Sequence, residues 1–477
     1  MNPETDMPQQ LDERATGHLL SDRQHANANV SLIQIFDQRS APGETVRFKS
    51  ILAQINNRLH LWPRFRQRVQ RVPLGLDRPY WVDDEQFDLE HHVRHIALPK
   101  PGDWRQFCIQ VSRLHARTLD MDRPPWELYV IEGLDSLLEL PEGSFAVLLK
   151  THLAALDVSE LAKLTEGLCD THAKPAPLAP PPAWFADAGP GMLTLLQRGM
   201  LRSALMPWQQ PWMIERLLPM ARAVTTSLGE IHPLTRFNAV VSPYRVFDTR
   251  RFARSAFERI AASVPGATLQ DAVIAVCGGA LRQYLDEVGE LPEDSLNAFV
   301  WLPAPHDSPS KGGGKSPPSA PTWRPRPLAT DLDDAGQRLA AVAARAQQYP
   351  VVMQQAMRPA LAQVPGEVST HCVIRFIPAP EQPQYLCGAR MRYTSAILPI
   401  RDGAGLAFAV TCYDDLVIIS PTACRELLPN PEQLAQCLRD SFQASLAAAE
   451  AAEAAHSTTP APSAASKPRK PRTRRQA

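Results

Sequence analysis

The sequence predicts two mixed α/β domains, and three observations support this prediction. The chain has 477 residues, whereas a typical domain has about 100–200. Each half of the chain alternates continuous apolar runs, typical of buried strands, with segments of helical spacing. Between the halves lies a proline-rich segment at residues 173–182, which is predicted to be stiff and extended.

These features divide the chain into five parts. Residues 1–28 are polar and are predicted to be flexible, and residues 29–172 form the first domain. Residues 173–235 contain the proline-rich linker and an amphipathic crossover, and residues 236–455 form the second domain. Residues 456–477 are predicted to be a disordered basic tail.

The first domain contains two predicted strands and two predicted helices. Val30–Phe36 and the apolar run Ser144–Lys150 have the pattern of buried strands. Phe48–Leu59 places its apolar residues on one face of a helix, and Ser159–Cys169 is predicted to be a second helix.

In the second domain, Leu269–Val288 is predicted to be a helix, and so is the alanine-rich segment Leu434–Ala455. Leu406–Ile419 resembles two strands joined at Tyr413-Asp414-Asp415, and residues 308–327 are predicted to be a loop rich in Ser, Pro and Gly. No sequence repeat relates the two domains.

Composition excludes several classes of protein. With 44% hydrophobic and 21% charged residues, the chain is neither wholly disordered nor collagen-like. No apolar run reaches the length of about 18 residues that spans a bilayer, and the N-terminus lacks the apolar core of a secretory signal. None of the eight cysteines forms a CxxC pair, which indicates buried free thiols. We therefore predict a cytoplasmic protein.

The formal net charge of zero hides an uneven distribution. The segment Lys467–Ala477 has six basic residues and no acidic one, so the rest of the chain has 44 basic and 50 acidic residues, a net charge of −6. Such a tail could contact anionic lipid, nucleic acid or an acidic protein through charge alone, without specific recognition of nucleic acid. Alternatively, it is a solubilising tail that needs no partner.

A histidine and an aspartate follow the predicted strand that ends at Lys150. His152 leaves the sheet edge and enters a loop, where a general base could reach a bound molecule, and Asp157 lies five residues further along. This segment resembles the His-His-x-x-x-Asp-Gly motif of the bacterial wax ester synthase/diacylglycerol acyltransferase family. Other segments also resemble that family, over residues of about 30–450: Pro73–Val82, Phe87–His95, Arg123–Leu128, Asp271–Cys277 and Val417–Pro431.

The resemblance implies a fold and a reaction. The fold would consist of two chloramphenicol-acetyltransferase-like α/β domains with a tunnel between them. The reaction would transfer an acyl group from acyl-CoA to a fatty alcohol or diacylglycerol, with a histidine as general base and no permanently bound cofactor. The apolar products of this reaction would suit a protein that lies on the inner membrane or on lipid inclusions.

The sequence departs from the family pattern at the motif itself. Leu153 stands at the position of the second, catalytic histidine, and Val158 stands at the position of the glycine. A leucine cannot accept a proton, and a valine would be strained if the glycine position had a positive φ. Gln270 replaces the Asn of an Asn-Asp pair, and Ala379 replaces a Gly. Two hypotheses follow: an O-acyltransferase with a replacement base, or a catalytically degenerate homologue that binds acyl chains, a lipid surface or an active paralogue.

Five residues are candidates for the site. His152 is either a displaced base that reaches the alcohol through a rotamer change, or a structural histidine hydrogen-bonded beneath the site. Asp157 is expected to orient the loop through an arginine or the backbone. The resemblance makes Gln270 and Asp271 candidates for substrate binding. His371 is either a replacement base or an ordinary histidine at a strand end.

Two further patterns indicate no additional chemistry. Gly312–Ser316 resembles a phosphate loop, but the first glycine of that motif would fall at Pro309 and no strand precedes it. His91, His92 and His95 lack acidic or cysteine partners in a zinc pattern, so we expect no metal site.

The crossover contains a basic amphipathic segment, Met192–Val224. It has apolar residues at near-helical spacing, a net charge of +3, and the tryptophans Trp208 and Trp212. This combination suits a membrane or lipid-droplet surface. The alternative is packing against the second domain.

Overall fold

The structure is a computed structural model that describes residues 8–134, 140–141, 143–174, 182–187, 189–205, 235–302, 322–345 and 370–458. Several sequence features lie outside these ranges. They are most of the proline-rich segment, Trp208 and Trp212, the glycine-rich loop Gly312–Ser316, and the basic tail Lys467–Ala477.

Helices and strands alternate along the described residues. The helices are α1 (Glu13–Ser21), α2 (Phe48–Arg58), α3 (Leu89–His92), α4 (Trp104–Ala116), α5 (Leu161–Leu168), α6 (Met192–Leu205), α7 (Arg254–Ala262), α8 (Leu269–Glu287), α9 (Ala335–Arg345) and α10 (Pro431–Thr458). No helix among the described residues combines the length and the apolar character that crossing a bilayer requires.

The strands are β1 (Asn29–Asp37), β2 (Gln67–Gln70), β3 (Tyr80–Asp83), β4 (Val93–Ala97), β5 (Trp126–Glu132), β6 (Phe145–His152), β7 (Arg245–Phe247), β8 (Arg250–Ala253), β9 (Asn297–Leu302), β10 (Thr322–Pro327), β11 (Cys372–Ile377), β12 (Tyr385–Leu386), β13 (Ala389–Ile397), β14 (Leu406–Tyr413) and β15 (Leu416–Cys424). The predicted mixed α/β fold class is confirmed.

Two large sheets dominate the fold. The first has the strand order β12-β13-β1-β6-β5-β4, and the second has the order β10-β9-β11-β14-β15-β7, with β8 also pairing with β15. Strand β13 comes from the second half of the chain, yet it pairs with β1 in antiparallel register, with Ser31 opposite Ile397. The division of the chain at residues 173–235 therefore does not separate the two sheets.

Strands β1 and β6 form the buried centre of the first sheet. Alternate residues of β1 point to opposite faces, so Leu32 and Ile33 belong to different hydrophobic clusters. On one face Leu32 shares a cluster with Ile55 of α2, and on the other Ile33 shares a cluster with Phe107 of α4. Because helices cover both faces, these strands read as continuous apolar runs.

Most predicted elements are confirmed, with small shifts at their ends. Strand β1 and helices α2, α8 and α10 occur where the sequence predicted them, and β14 and β15 flank the predicted turn. The predicted loop at residues 308–327 is wrong at its end, because Thr322–Pro327 forms β10. Strand β10 lies at the sheet edge, where a proline removes no hydrogen bond that the sheet needs.

Helix α1 lies within residues 1–28, which the sequence predicted to be flexible. The Asp12 side chain caps the helix by accepting from the Ala15 N–H at 2.7 Å. Leu11, Ala15 and Leu19 are buried in one hydrophobic cluster with Val69, Trp81 and Ala154. Apolar residues spaced by four therefore hold α1 against the loop that follows β6.

Helix α8 is the central helix of the second domain and is buried on nearly all sides. Two adjacent glycines let its neighbours approach closely. A Cβ atom at Gly278 would overlap the Leu328 carbonyl, and one at Gly279 would overlap the side chains of Ser441 and Arg338. The packing around α8 therefore depends on the absence of side chains at these two positions.

We predict that Gly278→Ala lowers the free energy of unfolding by about 1–3 kcal/mol, because a backbone carbonyl must move to admit the methyl group. Chemical denaturation measures this change. Gly336→Ala in α9 is the matched control, since the nearest atom is a flexible Asp334 oxygen at 3.3 Å. Equal effects of the two substitutions would contradict this account of the packing.

Candidate active site

A cavity of about 340 Å³ lies where the two sheets approach each other, beyond the end of β6. One wall consists of α1, residues 26–28 before β1, and the loop after β6. The other wall consists of β9, β11 and residues 398–404 after β13. The lining contains apolar side chains, including Leu153, Phe299, Trp301, Val373 and Leu398, and charged or titratable ones, namely Arg14, His18, Asp157, Arg375 and Arg401.

His152 is the last residue of β6 and is 1% exposed. Its Nδ1 accepts a hydrogen bond from the Ala154 N–H at 3.1 Å, and its Nε2 lies 3.7 Å from Asp22 Oδ2. This Nε2 has no hydrogen-bond partner among the described residues. His152 is not among the described residues that line the cavity. Its imidazole thus lies beside the cavity wall, with one nitrogen engaged by the loop.

Leu153 faces the cavity, as does Asp157 of the same motif. Its N–H donates to the Ala28 carbonyl at 2.9 Å, which fixes the loop against the start of β1. The position that carries the catalytic base in the family motif therefore presents an isobutyl group here.

Val158 introduces no backbone strain at the former glycine position. It is fully buried, begins the 3-10 turn Val158–Glu160, and is not one of the described residues with positive φ. Because a valine fits this backbone, the motif glycine is not needed for the conformation of this loop.

Asp157 organises the loop that contains the motif. Its carboxylate caps the turn by accepting hydrogen bonds from the Ser159 N–H at 2.7 Å and from the Ser159 hydroxyl. It also forms ion pairs with Arg14 of α1 and, at 3.8 Å, with Arg375 of β11. One carboxylate therefore links the loop after β6 to a helix of the first half and a strand of the second half.

Arg375 brings a buried charge to the cavity wall. It is 9% exposed, and its guanidinium lies 4.8 Å from the centre of the Trp301 ring, in a cation–π contact. The parallel pairing of β11 with β9 sets Arg375 opposite Trp301. Burial lowers the pKa of Arg375 to about 9, with a smaller contribution from Arg14, so the side chain remains charged at neutral pH.

His18 of α1 also lines the cavity. Burial, together with smaller contributions from the nearby His152, Arg14 and Arg375, lowers the pKa of His18 to about 3. At neutral pH this imidazole is therefore uncharged. Partial burial among positive charges disfavours the protonated form of this histidine.

The remaining sequence candidates lie away from the cavity. Gln270 is exposed at the start of α8. Asp271 is buried, closes a capping box with Thr268, and forms an ion pair with Arg326. His371 is also buried, and its Nδ1 accepts from the Asn297 N–H at 3.0 Å. None of the three predicted residues is among the described residues that line the cavity.

The histidines of the Phe87–His95 segment have structural partners. His92 donates from Nδ1 to the Trp126 carbonyl at 2.8 Å and stacks on the Trp126 ring. His95 Nε2 lies 3.0 Å from Glu132 Oε1. The part of the chain that the structure describes contains no group of three side chains placed to hold a metal ion.

Among the charged or titratable residues of the cavity, sequence reasoning missed four: Arg14, His18, Arg375 and Arg401. A signal existed for Arg375, the one charged residue in the apolar run Cys372–Ile377. Another existed for α1, where Leu11, Ala15 and Leu19 follow helical spacing after a capping aspartate.

Comparisons with known protein families and individual proteins show which sequences this chain resembles. The family description "wax ester synthase/diacylglycerol acyltransferase catalytic domain" matches residues 16–273, and "WS/DGAT C-terminal domain" matches residues 326–445. A Mycobacterium tuberculosis protein that carries the name diacylglycerol O-acyltransferase is 27% identical over 449 residues, covering 87% of each chain. A Mycobacterium bovis protein of the same name is 29% identical over 405 residues, covering 80% of this chain and 86% of the relative.

Solved structures show the same fold. The wax ester synthase/diacylglycerol acyltransferase from Marinobacter aquaeolei VT8 superimposes with a TM-score of 0.70 at 23% identity, covering 93% of this chain and all of that one. The first condensation domain of the calcium-dependent antibiotic synthetase superimposes with a TM-score of 0.55 at 13% identity, covering 93% and 96% of the two chains. The two-domain architecture expected from the sequence is confirmed.

We predict that His18→Asn flattens the pH dependence of stability between pH 6.5 and about pH 3. In the unfolded chain His18 takes up a proton near its ordinary pKa of 6.5, whereas in the folded protein it stays neutral to about pH 3. The free energy of unfolding therefore decreases as the pH falls through this window. Its slope against pH corresponds to the uptake of at most about one proton on unfolding.

Denaturant unfolding of wild type and His18→Asn at several pH values measures this difference. His92 and His115 also have pKa values lowered by burial, so the comparison between the two proteins, not the wild-type profile alone, reports His18. The same substitution at exposed His60 is the control. Parallel profiles for wild type and His18→Asn would show that His18 is not buried in this way.

Proposed function

Because the chain belongs to the wax ester synthase/diacylglycerol acyltransferase family, we propose that it transfers an acyl group from acyl-CoA to the hydroxyl of a fatty alcohol or a diacylglycerol. The alcohol oxygen attacks the thioester carbonyl and forms the new C–O bond. The C–S bond then breaks, and the alcohol proton passes to the departing CoA thiolate through a base. Acyl-CoA is a substrate here, and no permanently bound cofactor is part of the proposal.

One observation carries this proposal: the cavity lies against the motif segment. Leu153 and Asp157 form part of its wall, and side chains of the second half, including Phe299 and Val373, face them. The apolar part of the lining suits an acyl chain or the chain of a fatty alcohol.

In this proposal His152 is the displaced base and Asp157 holds its loop in place. With Nδ1 accepting from Ala154, Nδ1 holds the lone pair and Nε2 carries the proton of the neutral ring. To act as a base, His152 must therefore change its rotamer and release Nδ1 from the Ala154 N–H, so that a nitrogen with a lone pair meets the alcohol in the cavity. Gln270, which is exposed, and Asp271 remain proposed contacts for a part of the substrate outside the cavity.

Leu153 favours a second candidate function. With an alkyl side chain at the position of the base, the chain could be a catalytically degenerate homologue. It would bind acyl chains or a lipid-inclusion surface, or scaffold an active paralogue. Loss of a general base costs about 10²–10⁴-fold in rate. Such a homologue could therefore keep its binding function although its catalytic turnover is lost.

We predict that Leu153→His raises the rate of acyl transfer by about 10²–10⁴-fold, since it places an imidazole on the cavity wall. The assay follows CoA release by the purified full-length protein with a long-chain acyl-CoA and either a fatty alcohol or a diacylglycerol. Leu153→Asn is the matched control, because it is polar but is not a base at neutral pH.

The assay also separates the two candidate functions. Wild-type turnover that His152→Ala abolishes would support a displaced base. An inactive wild type that gains activity in Leu153→His, or in Leu153→His with Val158→Gly, would support the degenerate homologue. Wild-type turnover that His152→Ala leaves unchanged would contradict the assignment of His152.

We further propose that the protein associates peripherally with a membrane or lipid-inclusion surface through α6. Met192, Leu193, Met200 and Leu201 of this helix are 55–67% exposed and share one face, while Leu195 on the other face is buried. Exposed apolar residues on a helix that also carries arginines suit an interface with anionic lipid.

We predict that replacing both Leu193 and Leu201 with Asp lowers binding to anionic vesicles by about tenfold or more, because two leucines no longer enter the interface. Flotation with phosphatidylglycerol/phosphatidylcholine vesicles measures the bound fraction. Ile109→Asp in α4, at a position that is 43% exposed, is the control. Undiminished flotation of the double variant would rule out α6 as the contact.

A further inference from the structure

Helix α1 turns one of its sides toward the cavity. Arg14, His18 and Ser21 all line the cavity, and their spacing of four and three residues places them on one side of the helix. The neighbouring side is apolar and buried, and its Leu19 shares a hydrophobic cluster with Ala154 of the loop after β6. The helix is therefore fixed through its apolar side, and His18 is directed toward the cavity.

Two polar contacts join α1 to the motif segment, one on each side of His18. Arg14, four residues before His18, forms an ion pair with Asp157. Asp22, four residues after His18, has a carboxylate oxygen 3.7 Å from Nε2 of His152. Because His18 lies one helical turn from each of these residues, α1 holds its imidazole beside the motif segment.

The imidazole of His18 has a donor available for a bound molecule. Neither of its ring nitrogens hydrogen-bonds to another of the described residues. By contrast, His92 and His371 both engage Nδ1 with backbone groups. Because His18 is uncharged at neutral pH, its ring has one N–H and one lone pair.

The environment of His18 suits a hydrogen-bond donor better than a base. Burial, as the largest cause, lowers its pKa to about 3, so the protonated ring that a base must form is strongly disfavoured. The neutral ring still donates its N–H. A neutral histidine with a lowered pKa can polarise a carbonyl group in this way, and a donor that is already in position stabilises the charge that develops on the oxygen.

We propose that His18 is a catalytic residue of the acyl transfer, whose neutral imidazole donates an N–H hydrogen bond to the carbonyl oxygen of the thioester. When the alcohol oxygen attacks the carbonyl carbon, the π electrons of the C=O bond move to this oxygen, and the hydrogen bond stabilises the negative charge. The C=O bond forms again as the C–S bond breaks. His18 transfers no proton, and the alcohol proton still passes through a base to the departing thiolate.

This role is separate from that of the missing base. Leu153 and His18 both line the cavity, but they belong to different segments, and a donor to the carbonyl oxygen is needed whichever group accepts the alcohol proton. The proposal therefore predicts that His18 contributes to the rate both in the wild type and in Leu153→His.

The kinetics of CoA release by the full-length protein test the proposal in both backgrounds. We expect His18→Leu, which has no N–H, to lower kcat by about 10²–10³-fold, the usual effect of losing one such donor, and to change KM by less than about threefold. His18→Gln keeps a side-chain N–H and is expected to retain kcat within about tenfold of its parent. His60→Leu, at an exposed residue, is the control.

Two kinetic results would overturn the assignment. One is an unchanged kcat in His18→Leu. The other is an equal loss in His18→Leu and His18→Gln, which would show that a donated N–H is not what the imidazole supplies. Thermal unfolding verifies that each variant is folded before its kinetics are compared.

The infrared spectrum of bound acyl-CoA tests the hydrogen bond without turnover. A hydrogen bond to a carbonyl oxygen lowers the stretching frequency of the C=O bond. With long-chain acyl-CoA labelled with carbon-13 at the thioester carbonyl, we expect a lower frequency in the wild type and in His18→Gln than in His18→Leu. The same frequency in all of these proteins would overturn the proposal.

The inference rests on the proposed acyl transfer, and the two proposals fail in different ways. Turnover that does not depend on His18 would overturn the role of His18 alone. The absence of turnover in both backgrounds, together with the absence of acyl-CoA binding, would contradict both proposals. For a protein that binds acyl-CoA without turnover, the infrared comparison decides whether His18 makes the hydrogen bond.

Discussion

The carboxylate of Asp157 is the interaction on which the arrangement of the site depends. It caps the turn after β6, pairs with Arg14 of α1, and lies 3.8 Å from Arg375 of β11. Three segments that are more than 140 residues apart in sequence therefore meet at one group. Because removing one partner would leave the largely buried Asp157 or Arg375 without one of its opposite charges, each of these segments constrains the other two.

This arrangement explains how the loop keeps its shape without the two motif residues that are missing. Val158 fits because its backbone has an ordinary conformation, and Leu153 fits because its side chain enters an apolar part of the cavity. The shape of the loop depends on Asp157 and on backbone hydrogen bonds, not on the second histidine. A homologue can therefore keep the fold of the site while the chemistry of one wall changes.

The same replacement changes the electrostatics of the cavity. A general-base histidine must carry a positive charge during the reaction, and a wall that already holds three arginines opposes that charge. The low pKa of His18 reflects this environment. An uncharged Leu153 is compatible with the wall, and a histidine introduced at this position would be neutral at neutral pH, the form in which it can accept a proton.

By itself, the sequence determined the fold class, the family, the central strands and helices, and the position of the altered motif. The family follows from the resemblance of the motif and its neighbouring segments, and the fold class, strands and helices follow from periodicity and residue order, which are local properties. It could not decide that β10 forms at a sheet edge despite its prolines, nor that α1 covers the site, because both depend on contacts with distant segments.

Nor could the sequence decide that Leu153 faces the cavity while His152 lies beside it, since the direction of side chains after a strand depends on the turn that follows. Only the tertiary structure brought Arg14, Asp157 and Arg375 together, because the pairing of β11 with β9 and the packing of α1 set their positions.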